Sequence, residues 1–450
     1  MDKSFLFGVA TSSYQIEGGI NKDGAGVSNW TVFSNTRGNI SNDDTGNMAC
    51  NHYDLWENDL EMMASLGIQS YRFSISWARI FPDASETVNW EGILFYKRLL
   101  QKLIELDIEP MITLYHWDLP QWLEDMGGWT NPDIIHHFNR YAITVYQHLN
   151  ALCSKWITLN EPWVFLHKGY ITGEHAPGIA NIELAGKAYV NILRSHTVAV
   201  RGMRAISDST EIGIACNVSF IAPSTSHTLD VNAASRFSSY INNLFLDPWI
   251  KGKIPEVAFD LFGPQLPENW LYSCDEIITK HDFIGLNYYS KTTIMSDSSS
   301  FMGCKQTLSG LPVTAMDWEI YPQGLTWLLL WAYYNYKIPI YITENGAAFE
   351  DEPNVGGQIH DHARIDYFKS HLEAVEAAIN SGVDVKGYYA WSFLDNFEWE
   401  AGYGKRFGLV YVDFITLKRT IKDSGYFFKD YIKRWNYAAK NTEHNNNVLI

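Results

Sequence analysis

The chain has 450 residues, 46% of them hydrophobic and 15% aromatic, and a formal net charge of −17 at pH 7. That charge excludes nucleic acid and anionic membrane surfaces as partners, because little here would displace phosphate counterions. Length alone would divide the chain into two or three domains; an α/β barrel is the main exception, since it grows by loop insertion without splitting.

The opening, MDKSFLFGVATSSYQ, has an apolar run too short for a leader peptide and passes straight into a first strand, FLFGVA (5–10). Residues 18–50 read as loop. A helix follows over 52–66, with Trp56, Leu60 and Met63 at helical spacing and Gly67 as its left-handed stop. The next strands are SYRFSIS (70–76) and PMITLY (110–115). In NPDIIHHFNRYAITVY, Asn131 reads as a helix N-cap and Pro132 as its first turn. The strand KWITLN (155–160) is followed by a loop at 171–182, the strand EIGIACN (211–217) by a loop at 218–228, and DFIGLNYY (282–289) by a loop at 295–320. The strand IPIYITE (338–344) leads to a loop at 349–360. A helix over 361–380 then repeats Ile365, Phe368, Leu372, Val375 and Ile379 and stops near Gly382. The last strand is VKGYYAWS (385–392), and the polar tail 441–450 reads as frayed.

Most of these strands are nearly continuous apolar runs, as expected of parallel strands buried on both faces. Eight of them alternate with helices without a linker. The expected fold is therefore α/β, one (β/α)₈ TIM barrel spanning 1–450, with its longer loops at the C-terminal face. An open doubly wound sheet fits less well, because no Gly-rich phosphate-binding turn follows the first strand. Five scattered cysteines without a CxxC pair argue against disulfides and thiolate zinc, and no run of about 18 apolar residues occurs. A cytoplasmic location follows as an expectation. The HDH at 360–362 reads as a helix entry rather than a metal site, and no cofactor is expected.

A barrel carries its chemistry at the C-terminal strand ends. In order these give Gln15 and Glu17; Arg72 and Trp77; His116, Trp117 and Asp118; Asn160 and Glu161; Asn217; Asn287 and Tyr289; Glu344 and Asn345; then Trp391, Asp395, Asn396, Glu398 and Trp399. Amides and carboxylates suit sugar hydroxyls, and indoles suit the apolar face of a pyranose. No Lys/Arg cluster for a phosphorylated ligand appears. One glutamate at a strand end is more often a loop anchor than a catalyst, but two, each beside an asparagine, point to glycoside hydrolysis. Arg72 in an apolar strand calls for a carboxylate partner, as a structural ion pair or as part of the site. Trp30 and Trp56 read as core.

The stretches TLNEP (158–162), YITENG (341–346), ATSSYQIEG (10–18), YRFSISWARI (71–80), YHWDLPQWL (115–123) and WSFLDNFEWEAGYGKRFGLVYVD (391–413) together resemble the family 1 glycoside hydrolases, the β-glucosidase group. The resemblance runs over roughly residues 3–440. It implies a (β/α)₈ barrel and a retaining mechanism, with Glu161 as acid/base and Glu344 as nucleophile, the latter supported by Arg72 and Tyr289. It implies sugar contacts from Gln15 and Glu398 (4-hydroxyl, with Glu398 also at the 6-hydroxyl), His116 and Trp399 (3-hydroxyl), and Asn160 and Asn287 (2-hydroxyl). Trp391 becomes the stacking floor and Trp318, in MDWEIYPQGL, an aglycone platform; Trp117 and Phe407 complete the site. Glutamate rather than glutamine at 161 favours O-glycosides over thioglucosides. Relatives acting on 6-phosphosugars have Ser where this chain has Glu398 and Tyr where it has Phe407; only Lys405 matches their pattern. The expected substrates are unphosphorylated β-glucosides or cello-oligosaccharides, with β-galactosides and β-fucosides as side activities. The alternatives are transglycosylation, a 6-phospho-β-glucosidase and, least of all, a silent sugar-binding barrel.

Overall fold

The computed structural model describes residues 4–447. Its strands are β1 (Leu6–Ala10), β2 (Ser70–Ser74), β3 (Glu109–Tyr115), β4 (Lys155–Asn160), β5 (Glu211–Pro223), β6 (Phe283–Ser296), β7 (Cys304–Thr307), β8 (Ile340–Asn345), β9 (Val385–Trp391), β10 (Val410–Val412) and β11 (Arg419–Ile421). The large sheet runs β5-β4-β3-β2-β1-β9-β8-β6-β7, and β5 also pairs with β6. Eight strands thus close a barrel in which every neighbouring pair is parallel. An open sheet is excluded by that closure. None of the described helices is long and apolar enough to cross a membrane.

The near-continuous apolar runs have a direct cause. Alternate residues of each strand point to opposite faces, and here both faces are covered. One set, including Met111, Ile157, Ala215, Phe283, Tyr341 and Tyr389, fills the barrel interior. The other, including Phe7, Val9, Phe73, Ile112, Trp156, Ile214, Leu286 and Ile342, packs under the surrounding helices.

Several expectations need correction. β5 and β6 outrun the predicted 211–217 and 282–289, pairing as far as Pro223 and Ile294. β7 then adds antiparallel to β6. The stretches 218–228 and 295–320 are therefore partly a sheet rising from the barrel rim, not only loops. This extension is half-exposed and rich in Ser and Thr, so its alternation is diluted. The stretch 18–50 includes a helix, Asn29–Asn35, whose Ser28 cap accepts from the Thr31 N–H at 3.1 Å. The helix predicted from Asn131 begins at Ile134; Asn131 instead caps a turn, its side chain accepting from the Asp133 N–H. Pro162 opens a short helix, Pro162–Leu166.

The helices predicted at 52–66 and 361–380 run His52–Ser65 and His362–Asn380. Gly67 and Gly382 follow them with φ of 71° and 89°. The last helix spans Asp423–Asn447, so the backbone of 441–447 continues it, while 448–450 lie outside the described residues.

Two devices fix the strand ends where chemistry is expected. Gly346 lies so close to β9 that an added Cβ would stand 1.8 Å from the Trp391 carbonyl oxygen, so only glycine fits two residues past Glu344. A buried ion network binds the segments after β8 and β9. Arg364 pairs with Asp351 and Asp361, Lys422 bridges Asp351 and Asp395, and Arg406 closes on Asp395 at 2.8 Å. Each charge has an opposite partner, which a buried ion requires. Asp361 and His360 are spoken for here, Asp361 by Arg364 and Ser424 and His360 by Asp423.

Candidate active site

A cavity of about 300 Å³ opens at the C-terminal ends of the barrel strands. Glu161 and Glu344 both line it. Each is the product of its strand. β4 delivers Glu161 with the backbone turned to the left-handed region, φ 46°, its N–H bonded to the Ala215 carbonyl at 2.8 Å. A side chain in that region is uncommon and is held only where its surroundings over-determine it. β8 delivers Glu344 opposite Asn287 of β6, at a register irregularity against both neighbouring strands.

The two carboxyls have different partners. Arg72 Nη1 donates to Glu344 Oε1 at 2.6 Å, and the Tyr289 hydroxyl donates to Oε2 at 2.6 Å. Glu161 receives one neutral bond, from Asn287 Nδ2 at 2.9 Å. Burial raises the Glu161 carboxyl first and the Glu344 charge raises it further, to about 8. Burial also raises Glu344, but Arg72 and the Tyr289 hydroxyl pull it back. The pair therefore holds its proton on Glu161 and its negative charge on Glu344.

Arg72 answers both readings open to it, being a buried ion pair inside the site. Its Nη2 donates to Asn160 Oδ1 at 2.5 Å and its Nε to Thr113 Oγ1 at 3.2 Å. Asn160 Oδ1 also accepts from Asn287. Its Nδ2 must then be the donor to His116 Nε2, 3.1 Å away. Burial and Arg72 keep His116 neutral. Its single proton thus lies on Nδ1, which has no partner among the described residues.

Aromatic walls complete the cavity. Trp391 stacks on His116 at 5.8 Å, and Trp117 packs on Trp399 at 4.5 Å while its indole donates to the Asn160 carbonyl. Trp30 is core, as read, and backs Trp399 at 4.5 Å. On the outer side Trp318, Tyr289 and Phe407 form a cluster, with ring centroids 5.4–6.1 Å apart. Glu398 lines the cavity with one protein partner, Gln15 Nε2 at 3.4 Å. Burial, then the charges of Glu400 and Glu344, push Glu398 well above the usual carboxylate range.

Of the predicted site residues, His116, Trp117, Glu161, Asn287, Tyr289, Trp318, Glu344, Trp391, Glu398, Trp399 and Phe407 line this one cavity. Gln15, Arg72 and Asn160 stand one layer behind, each bonded to a residue on the wall. Other strand-end polar groups serve the scaffold. Glu17 pairs with Arg79, and Asn345 bridges Tyr288, Tyr367 and Tyr388. Lys405 donates to the Ala315 carbonyl and is not on the wall. Sequence reading missed Trp163, Lys168, His175, Gln306 and Glu400, which are on it, and noted Asn217 without assigning it. Trp163 lies two residues past Glu161 and could have been found by proximity; Gln306 lies on β7, which was read as loop.

The model of glycosyl hydrolase family 1 matches residues 1–437. The chain is 46% identical to a 1,4-β-D-glucan glucohydrolase of Thermotoga neapolitana, over 96% of this chain and 98% of that one. It is 38% identical to a bifunctional β-D-glucosidase/β-D-fucosidase of Bifidobacterium breve, over 96% and 97%. A solved structure of a β-glucosidase from Thermotoga maritima in complex with glucoimidazole superposes with a TM-score of 0.93 at 44% identity, covering 96% of this chain and 98% of that one.

Proposed function

The chain belongs to glycosyl hydrolase family 1 and is an O-glycoside hydrolase; from that premise we propose that it is a retaining, exo-acting β-glucosidase of unphosphorylated β-D-glucosides. The observation that carries the reading is the pair of buried glutamates at the ends of β4 and β8, facing one cavity in opposite electrostatic settings. Glu344, kept anionic by Arg72 and Tyr289, attacks the anomeric carbon. Glu161 gives its proton to the departing glycosidic oxygen as that bond breaks. The resulting glycosyl ester removes the Glu344 charge, so the proton affinity of Glu161 falls and Glu161 can accept a proton from the incoming water. Water then attacks the anomeric carbon from the face the aglycone left, and the configuration is retained. Because Glu161 must be protonated in the first step, kcat/KM falls as pH rises through about 8.

The sugar is held by groups with spare hydrogen-bonding capacity. His116 lines the cavity as the 3-hydroxyl binder, and Asn160 Nδ2, beyond its bond to His116, keeps a second hydrogen for the 2-hydroxyl. Glu398 takes the 4- and 6-hydroxyls with Gln15 behind it. A 6-phosphate there would meet Glu398, an acid where a phosphate needs a cation, and Lys405 is turned to a backbone carbonyl. Turnover of β-galactosides and β-fucosides as side activities is part of the proposal, the fucoside part supported by the likeness to the bifunctional Bifidobacterium glucosidase/fucosidase.

The test is turnover of the nitrophenyl β-glucoside, β-galactoside, β-fucoside and 6-phospho-β-glucoside by the purified protein. Strong turnover of the glucoside with none of the phosphosugar is expected; preference for the phosphosugar would overturn the substrate class. Glu398→Gln should raise KM for the glucoside roughly tenfold or more, the loss of one charge-capable bond to substrate. Unchanged kinetics would remove Glu398 from the site.

A further inference from the structure

Among the wall residues that the two-carboxylate chemistry leaves unused, three are linked through one carboxylate. Glu400 is the central one. It sits in the tight turn Trp399–Ala401, two residues past Glu398. Its Oε1 accepts from Lys168 Nζ, and its Oε2 lies 2.5 Å from His175 Nε2. Lys168 and His175 both belong to the segment that leaves Glu161, Lys168 on the helical stretch Pro162–Thr172 and His175 just beyond it. The triad therefore ties the Glu161 side of the cavity to the Glu398 side. His175 is held by packing on Trp30 at 5.1 Å and Trp117 at 5.6 Å, and Lys168 has a second, looser partner in Glu174 at 3.7 Å.

The charges on the wall are uneven. Glu161, Glu344, Glu398 and Glu400 all line the cavity, while Lys168 is the one lysine or arginine among the described residues that does. Arg72 stands behind and is committed to Glu344. We infer that Lys168 is a positioning residue for the acid/base chemistry: its ammonium, held at the wall by Glu400, which His175 braces, tempers the potential at Glu161 and Glu398, and Glu400 sets how much of that charge the cavity feels. The inference rests on the acid/base reading of Glu161.

The other groups facing Glu161 come from every side. They are Glu344 on β8, Asn287 and Tyr289 on β6, Cys216 on β5, Arg72 on β2, and His116 and Glu398 across the cavity. A change at 168 or 400 breaks none of their hydrogen bonds, and among them it bears on Glu398 as well as on Glu161. Lys168 opposes the upward push of burial and of Glu344 on Glu161, and it opposes burial and Glu400 on Glu398. Burial would raise Glu400 itself, but His175 and Lys168 hold it well below the usual carboxylate range. It is thus a full negative charge beside the ammonium.

The experiment is the pH profile of kcat/KM on nitrophenyl β-glucoside for Lys168→Met, Glu400→Gln, the double variant and Lys168→Arg. Removing the cation should move the alkaline limb up by about half a unit or more; removing its partner should move it down by a similar amount. The double variant should return close to the parent, and Lys168→Arg should leave the limb in place. A clamp that only holds shape would lower kcat without moving the limb. That result, or movement of both single variants in the same direction, would overturn the inference. Should Lys168→Met fold poorly, the opposite-signed shift of Glu400→Gln against the unmoved Lys168→Arg decides alone. Glu161→Gln separates the two readings: its profile should lose the alkaline limb, and a limb that persists there overturns the acid/base role of Glu161 instead.

Discussion

Glu344→Ala should lower kcat on nitrophenyl β-glucoside by about 10⁴-fold or more, the scale at which removal of a nucleophile is felt. The reason is local. Without Glu344 there is no oxygen to form the glycosyl ester, and Arg72 and Tyr289 lose the charge they were placed to hold. The cavity left behind is small and polar, so a small anion should enter it. Added azide should restore a measurable part of the turnover. It attacks the anomeric carbon from the vacated face while the nitrophenolate leaves, giving α-glucosyl azide, a product of inverted configuration. A second consequence concerns Glu161, since the Glu344 charge is the second cause of its raised proton affinity after burial. In the variant without azide, Glu161 should ionise at lower pH, read by titrating its carboxyl, because the charge that opposed its ionisation is gone. The melting temperature should fall as well, because Arg72 keeps Asn160, Thr113 and the Thr343 carbonyl but is left a buried charge without its carboxylate. Full activity in this variant would remove Glu344 from the nucleophile's role.

What was legible in the chain divides along physical lines. The barrel strands announce themselves because burial on both faces leaves few polar positions to obscure them. The strand ends stand out for the opposite reason, as Asn160-Glu161 and Glu344-Asn345 interrupt apolar runs with groups that cannot be buried without partners. The partners are harder to read. Arg72 demanded a carboxylate, but its simultaneous bonds to Glu344 and Asn160 depend on three strands meeting inside the barrel. The rim extension of β5 and β6 was hidden by half-exposed Ser and Thr. The Lys168–Glu400 pair was hidden more completely, since residues 232 apart in sequence look separately like solvated surface charges. Fold closure, not local pattern, puts them on one wall.

Glu161→Ala should divide substrates by their leaving groups. An aglycone such as dinitrophenolate departs without a proton, so the first step should slow by about tenfold or less. A sugar leaving group, as in cellobiose, needs the proton, and its cleavage should fall by about 10³-fold or more. Glu161 is suited to that task because it keeps its proton to about pH 8 in a site where Glu344 is charged. The second step should suffer for every substrate, because no base remains to take the proton of the attacking water. The glycosyl-enzyme should therefore accumulate, seen as a burst of dinitrophenolate and a low apparent KM. Azide needs no base, and here too it should accelerate turnover, but at the second step. It attacks an anomeric carbon already inverted once by Glu344, so the product should be β-glucosyl azide. The two variants thus give opposite anomers from one reagent, α from Glu344→Ala and β from Glu161→Ala. Equal losses on cellobiose and the dinitrophenyl glucoside, or the same anomer from both variants, would mean that the roles of the two glutamates are wrongly assigned.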